Sequence, residues 1–548
     1  MSKKLFVAPR SPMNTLRTGA IAVLAAGTLT LAALGAGSGS SALAAESTIV
    51  VAVESDFGRM DPHASGTWNT FKVLRHIFEG FVEEDLTKGG SAVPEVVPAL
   101  AESWEISDDR KTYTFHLRQG VKFHDGTPWN ADAAKFNLDR MTNESFEFFQ
   151  PISKGMMGWV WQDLNSYEVV DEYTFRINLK QPNSEFIRRL TAGGSGSPRM
   201  MSPAAVKQYG NDGIEQHPLG TGPFKFVERV VGEKLVIAKN EDYWNEARKP
   251  KVDRIILRGI PEVATRELAL ISGEVDFIGT PSPDSIEHLK EQGMKIVTAP
   301  SPTMYVLWVN LKDPVLGNVK VRQAICMAID RDNMAKYQRK GFAQPAYGIL
   351  NFGGPGYDPA FRDCEYNPEA AKKLLAEAGY PDGFSTRMDW TFGAGSDVNT
   401  KGDAEWLQRD FEKIGIKASI EMFDNNTYWD MMTAGIREGT GFMSVSWGES
   451  TFAWLDQVLA STAQPPSCCN SGYYNNPNVD ALLSAARAAG SEEEMTAKLR
   501  EVQKIIADDM SFIAYYTADS VYATRPEIEG FVLAPQHWID LTGVSKKP

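Results

Sequence analysis

The stretch VDRIILRGIPEVATRELALISGEVDFI, residues 252–278, decides the fold. It opens on an apolar run, Val252 to Leu257, short enough for a buried strand. Ala264 to Ser272 then reads as a helix that closes on Gly273, a residue suited to the left-handed conformation at a helix end. Glu274-Val275-Asp276-Phe277-Ile278 follows as a second buried strand. Strand, helix and strand in this order predict parallel α/β construction.

The pattern extends in both directions. On the C-terminal side, Val321, Ala324, Ile325, Ala328 and Ile329 form one helical stripe. Asn367 is placed to cap a helix with Pro368 at its first position and Gly379 at its end. Ala404 to Ile414 reads as an amphipathic helix, followed by a strand through Ile416, Ala418 and Ile420. Ser491 and Glu494 form a capping box. On the N-terminal side, Leu235-Val236-Ile237 and Thr48 to Val53 are strands. Between these lies a different texture, roughly 81–194, where Tyr113, Phe115 and Leu117, and then Tyr173, Phe175, Ile177 and Leu179, alternate as half-buried antiparallel strands.

At 548 residues the chain is too long for one core. Its formal charge of -14 argues against nucleic acid and anionic lipid as partners. Lys3, Lys4, Arg10 and Arg17 precede an apolar run from Gly19 to Gly37, and Ala42-Leu43-Ala44 closes it. That is the three-part pattern of a cleaved export signal, with cleavage expected after Ala44. No Cys stands at the cleavage site, so a free periplasmic protein is expected. Export permits disulfides. Cys326 sits at an apolar helix position and reads as a buried free thiol, while Cys364 is free to pair with Cys468 or Cys469.

Several chemistries are missing from the sequence. It has no Gly-Lys phosphate loop, no GxGxxG, no HExxH and no GxSxG, and its seven histidines are scattered. No catalytic residue, metal site or cofactor is expected. A carboxylate pair acting as a hydrolase in the cleft is the remote alternative.

Ordered blocks point to a family. Pro218-Leu219-Gly220-Thr221-Gly222-Pro223-Phe224, then Lys239-Asn240-Glu241-Asp242-Tyr243-Trp244, resemble the identifying motif of the peptide/nickel/opine solute-binding proteins of ABC importers. Met60-Asp61-Pro62, Phe78-Glu79-Gly80-Phe81, His124-Asp125-Gly126 and Ala378-Gly379-Tyr380-Pro381 are similar to further blocks of that family. The glycine block and the His124-Asp125-Gly126 turn read as structural, the glycines supplying backbone angles other residues resist.

The resemblance implies a two-lobed periplasmic binding protein fold with hinge crossovers and an extra mixed α/β domain inserted in the first lobe. The expected division is a signal peptide at 1–44, lobe I at 45–80 and 195–303, the inserted strand-rich domain at 81–194, lobe II at 304–511, and a hinge strand returning to lobe I at 512–548. The crossover strands are expected at Met304 to Leu311 and Phe512 to Thr517. The implied partners are a small-molecule ligand and an ABC permease at the inner membrane, with the binding protein itself a monomer.

The ligand is less legible. Where peptide binders of the family carry an Asp for the peptide ammonium, this chain has Ser446-Trp447-Gly448-Glu449. Trp390 to Asp397 lacks the Arg that dipeptide binders use for the ligand carboxylate. The expected cleft residues are Trp447, Glu449, Trp390, Phe392, Asp56, Phe57, Trp68 and Ser55. Aromatic faces and small polar groups suit a peptide or peptide-like solute, or else an oligosaccharide or opine-type sugar conjugate.

Overall fold

Thr48–Val53 is the hub of the first lobe. It runs parallel to Arg254–Gly259 on one side and to Phe277–Gly279 on the other. The two strands of the 252–278 stretch are therefore not neighbours. The helix between them, Val263–Ser272, carries the chain across Thr48–Val53 and ends on Gly273 at φ 82°. The computed structural model describes residues 46–65, 68–88, 93–191, 198–391, 400–448, 451–467, 469–534 and 538–547.

The first-lobe sheet has seven strands, in the order Lys295–Ala299, Ser520–Thr524, Phe277–Gly279, Thr48–Val53, Arg254–Gly259, Lys234–Lys239 and Phe224–Val230. The second lobe has six, in the order Ala343–Pro345, Phe512–Ala518, Met304–Val309, Phe442–Trp447, Ser385–Thr391 and Lys417–Phe423. Met304–Val309 and Phe512–Ala518 lie wholly inside this sheet. The chain passes between sheets in the short links beside them, at 300–303 and at Asp519. A third, antiparallel sheet of four strands holds Thr112–Leu117 and Thr174–Leu179 at its centre. Both alternate buried and part-exposed residues, as the period-two pattern requires.

The family blocks meet at one carboxylate. Glu79 accepts hydrogen bonds from Thr221 Oγ1 at 2.8 Å, Tyr243 Oη at 2.7 Å and Trp244 Nε1 at 2.9 Å. Burial pushes its pKa up, against the pull of these three donors. Gly220 and Gly222 pass so close to the Ile77 and His76 carbonyls that a Cβ on either would collide with backbone. His124 is locked in the same contact: its N–H donates to Gly220 O at 2.8 Å and its ring bonds Gly222 O at 3.0 Å. The blocks are thus the joint between the first lobe and its inserted domain.

The cysteines differ from expectation. Cys326 is not a free thiol; it is bonded to Cys364 across a separation of 38 residues. The apolar helix position that suggested a buried thiol also brings its sulfur against the loop before helix Pro368–Glu377. Cys469 is disulfide-bonded as well, and Cys468 lies outside the described residues. Among the described residues no helix is long and apolar enough to cross a membrane. The one group of metal-ligating atoms in mutual reach there is Cys326, Asp363 and Cys364, whose two sulfurs are already joined.

Candidate functional site

In open α/β sheets, ligands bind beyond the carboxyl ends of the parallel strands, where backbone groups are left without partners. In the first lobe those ends carry Glu54 and Thr280. Lys72, from helix Trp68–Ile77, lies 3.3 Å from Glu54 and is only 2% exposed. Thr280 Oγ1 donates to Glu54, and the Lys72 ammonium stands 5.7 Å from the Tyr522 ring. Burial is the largest influence on Glu54 and pushes its pKa up. Lys72, Arg266 and the Thr280 hydroxyl together outweigh it and hold the carboxyl down to about 2. Arg266 ties the same strand ends by donating to Gly279 O at 3.1 Å and Thr280 O at 3.0 Å. This is a fixed polar floor.

Ser55, Asp56 and Phe57 follow that floor in sequence. Ser55 is exposed and accepts from Asn69 Nδ2 at 2.8 Å. Asp56 is part-exposed and accepts from the Gly232 N–H at 2.8 Å. Phe57 is buried in the first-lobe core. Trp68 begins its helix, and its side chain lies outside the described residues, as do Phe392 and Glu449.

The second lobe presents the other wall. Met304 stands opposite Trp447 on one side and Thr517 on the other, at the sheet end beside both crossovers. Trp447 is 9% exposed, with Trp308 at 6.2 Å and Trp429 at 6.1 Å between ring centres. Gly448, next in the chain, touches the first crossover: a Cβ there would strike the Pro302 carbonyl. Trp390 does not join Trp447. It is 2% exposed and packs with Met388 and Phe442 on the opposite face of the sheet, against helix Thr400–Glu412.

Sequence reading missed the pocket beside Met304. Gln344, Tyr347, Leu350, Phe352, Tyr357 and Thr517 line it. Phe352 and Tyr357 meet edge to face at 5.4 Å. Tyr347 is flanked by the Arg331 and Arg362 guanidinium groups at 4.9 and 4.2 Å. Arg331 in turn points at the disulfide, with Cys364 Sγ at 3.3 Å and Cys326 Sγ at 3.2 Å, and donates to Ala514 O at 2.8 Å. The only prior signal was three aromatics in a Gly- and Pro-rich run, which alone does not distinguish a pocket from a packed loop.

A second cavity lies at the joint with the inserted domain, lined by Arg75, Glu79, Glu84, Arg248 and Asp540 among others. Its ions pair with one another, Arg75 with Glu84 at 2.8 Å and Arg248 with Asp540 at 3.0 Å. It is part of the structural joint.

Two sheets joined by two short crossovers, one ending in a polar floor and the other in an aromatic wall, define a two-lobed solute-binding protein. The family model "Bacterial extracellular solute-binding proteins, family 5 Middle" matches residues 95–461. The Glutathione-binding protein GsiB of Salmonella typhi is 32% identical over 516 residues, covering 92% of this chain and 96% of that one. Solved structures are similar as well. The periplasmic binding protein DppA of Helicobacter pylori, in complex with the peptide STSA, has a TM-score of 0.79 at 26% identity, covering 91% and 98% of the two chains. HbpA2 of Haemophilus parasuis has a TM-score of 0.75 at 28% identity, covering 91% and 100%. The chain belongs to family 5 of the bacterial extracellular solute-binding proteins. It is an exported, periplasmic, non-catalytic component of an ABC importer that captures a small molecule and delivers it to the membrane permease.

Proposed function

We propose that the captured solute is a short peptide or a peptide-like molecule, glutathione being the first to try. One observation carries this reading: identity of 32% along 92% of the chain with a protein named for glutathione binding. The pocket chemistry supports it. Tyr347, Phe352 and Tyr357 offer flat apolar surface, while Gln344 and Thr517 offer neutral hydrogen-bonding groups that suit amides. On this reading Trp447, Glu449, Phe392, Ser55, Asp56 and Trp68 are the first ligand contacts to test, while Phe57 and Trp390 belong to the cores behind them. The ligand ammonium falls to Glu449 or Asp56.

The same reading keeps 81–194 as the inserted domain and carries lobe II from 304 through strand Phe512–Ala518 to the second crossover, past the expected boundary at 511. Cleavage falls after Ala44, leaving three residues before the first strand at Thr48.

Calorimetry of the mature chain with glutathione, with di- to tetrapeptides and with an opine-type sugar conjugate tests the ligand class. Saturable one-to-one binding of glutathione or a peptide, weakened at least tenfold by Trp447→Ala, is expected. Binding of the sugar conjugate alone would overturn the proposal in favour of an opine-type solute.

A further inference from the structure

The inserted domain and the second lobe touch directly. Helix Phe186–Arg189 belongs to the inserted domain, where Phe186 packs on Tyr113 at 4.7 Å and Trp161 at 6.3 Å. Just ahead of it, the Ser184 N–H donates to Arg487 O at 2.8 Å, and Ser184 Oγ donates to Ala486 O at 3.2 Å. Both carbonyls belong to the end of the second-lobe helix Pro477–Ala488. Arg110, in the turn between two inserted strands, donates to Ala489 O at 3.2 Å.

Glu185 completes the contact. The Phe452 N–H of the second lobe points between its two carboxylate oxygens, at 3.0 and 3.1 Å. Arg188 and Arg189 stand on its own helix. From the second lobe come Asp456, on helix Ala453–Leu459, and Arg487. Arg189 Nη2 is 3.7 Å from Asp456 Oδ2, and Arg487 bonds the other oxygen of Asp456.

We propose that this contact is a proton-operated latch on the closed form, in which Glu185 takes up a proton as the inserted domain meets the second lobe and releases it as they part. A hinge motion about the crossovers at 300–303 and 519 that parts the two domains separates Ser184 from Arg487 and returns Glu185 to water. In the contact, burial pushes the Glu185 pKa up to about 7. Arg189, the Phe452 N–H and Arg188 pull it down, while Asp456 adds to the rise. In water it returns to about 4.5. A group whose pKa is raised in one state stabilises that state below the lower value and stops doing so above the higher one. Closure is therefore fully assisted below about pH 4.5, and the assistance fades as pH rises through about 7. Between the two, each pH unit changes the closure constant by up to about tenfold.

Hydrogen exchange of the ligand-free mature chain at the Ser184 and Phe452 amides tests this, corrected for the intrinsic rate from about pH 5 to about pH 8. Protection at both amides should fall together, by up to about tenfold per pH unit, and level off above pH 7. Glu185→Gln keeps the acceptor and discards the charge, so its protection should stay high and flat. Glu185→Ala should lose protection at Phe452 at every pH while the amides of strand Thr112–Leu117 keep theirs, which separates an open latch from an unfolded chain. Flat protection in the wild type, the same pH dependence in Glu185→Gln, or no protection at either amide would overturn the latch. Since no ligand is added, failure of the peptide reading leaves this result untouched.

Discussion

The joint between the first lobe and its inserted domain is held by buried charge, whereas the second lobe is held by apolar packing and a covalent staple. At the joint, Arg140 grips Asp61 with two nitrogens, at 3.0 and 2.6 Å, both side chains essentially without solvent. Arg199 with Glu83 and Arg75 with Glu84 repeat the arrangement. In the second lobe, Trp308, Trp447, Trp454 and Phe512 share one core, and the Cys326–Cys364 bond ties the pocket loop to a helix. A buried ion requires its particular partner, so a charged joint fixes residue identities. An apolar wall requires only volume and leaves its residues free to follow the ligand.

Removing half of a buried pair gives the largest expected effect. Arg140→Ala leaves Asp61 buried with only Gln150 Nε2, at 2.9 Å, and the His63 N–H, at 2.9 Å, still donating to it. A loss of about 3–5 kcal/mol in denaturant unfolding is expected. A change under about 1 kcal/mol would show that the joint is not held by charge.

Acid should attack the same region next. His63 accepts from Arg140 at Nδ1 and donates from Nε2 to Arg199 O, both at 2.8 Å. His76 donates from Nδ1 to Lys72 O at 2.8 Å and accepts the Leu541 N–H at 3.1 Å. A second proton on either ring would face an existing donor. Burial, the largest cause, lowers both pKa values from 6.5 to about 4, Arg140 adding to it at His63 and Arg248 and Arg75 at His76. Groups buried neutral stabilise above the unfolded value and cease to as pH falls through the folded one. Stability should thus drop between about pH 6.5 and 4, by up to about 3 kcal/mol per ring, checked by unfolding curves of His76→Gln against wild type. The latch at Glu185 has the opposite sign and loosens toward alkali, so the two regions separate on a pH axis.

The staple comes third. Cys326→Ser with Cys364→Ser opens a loop spanning 38 residues and should cost about 2–4 kcal/mol. It should also weaken ligand binding, because Arg331, Tyr347 and the pocket loop lean on that bond. A stability loss with unchanged affinity would detach the pocket from its staple.

These contrasts explain what was legible in the sequence. The joint spelled itself out: Asp61, Glu79, Thr221, Tyr243 and Trp244 all fall in motif blocks, because three donors converging on one carboxylate admit few substitutes. Helix ends were equally readable, as at Asn367, whose side chain accepts the Ala370 N–H at 2.9 Å, and at Ser491, which accepts that of Glu494 at 3.1 Å. The cleft was not. Trp390 and Trp447 look alike in sequence, and only strand register puts them on opposite faces of one sheet. Tyr347, Phe352 and Tyr357 become a wall only once the disulfide folds their loop back, and sequence left the pairing of Cys326 unread. Glu54 and Lys72 are 18 positions apart and meet only through the turn into helix Trp68–Ile77.

The smallest expected effect sharpens the location of the latch. Lys340 of the second lobe and Asp284 of the first also face each other, at 3.1 Å, but with 52% and 70% of their side chains exposed. An exposed pair is screened by water and salt and contributes no more than about 1 kcal/mol. Lys340→Ala should therefore alter protection at the Phe452 amide by less than about fivefold. Glu185 is buried in the contact and should change closure steeply with pH. If Lys340→Ala instead opened the chain as far as Glu185→Ala does, closure would be held beside the crossovers, and the contact at Ser184 and Glu185 would be a consequence of closure rather than its latch.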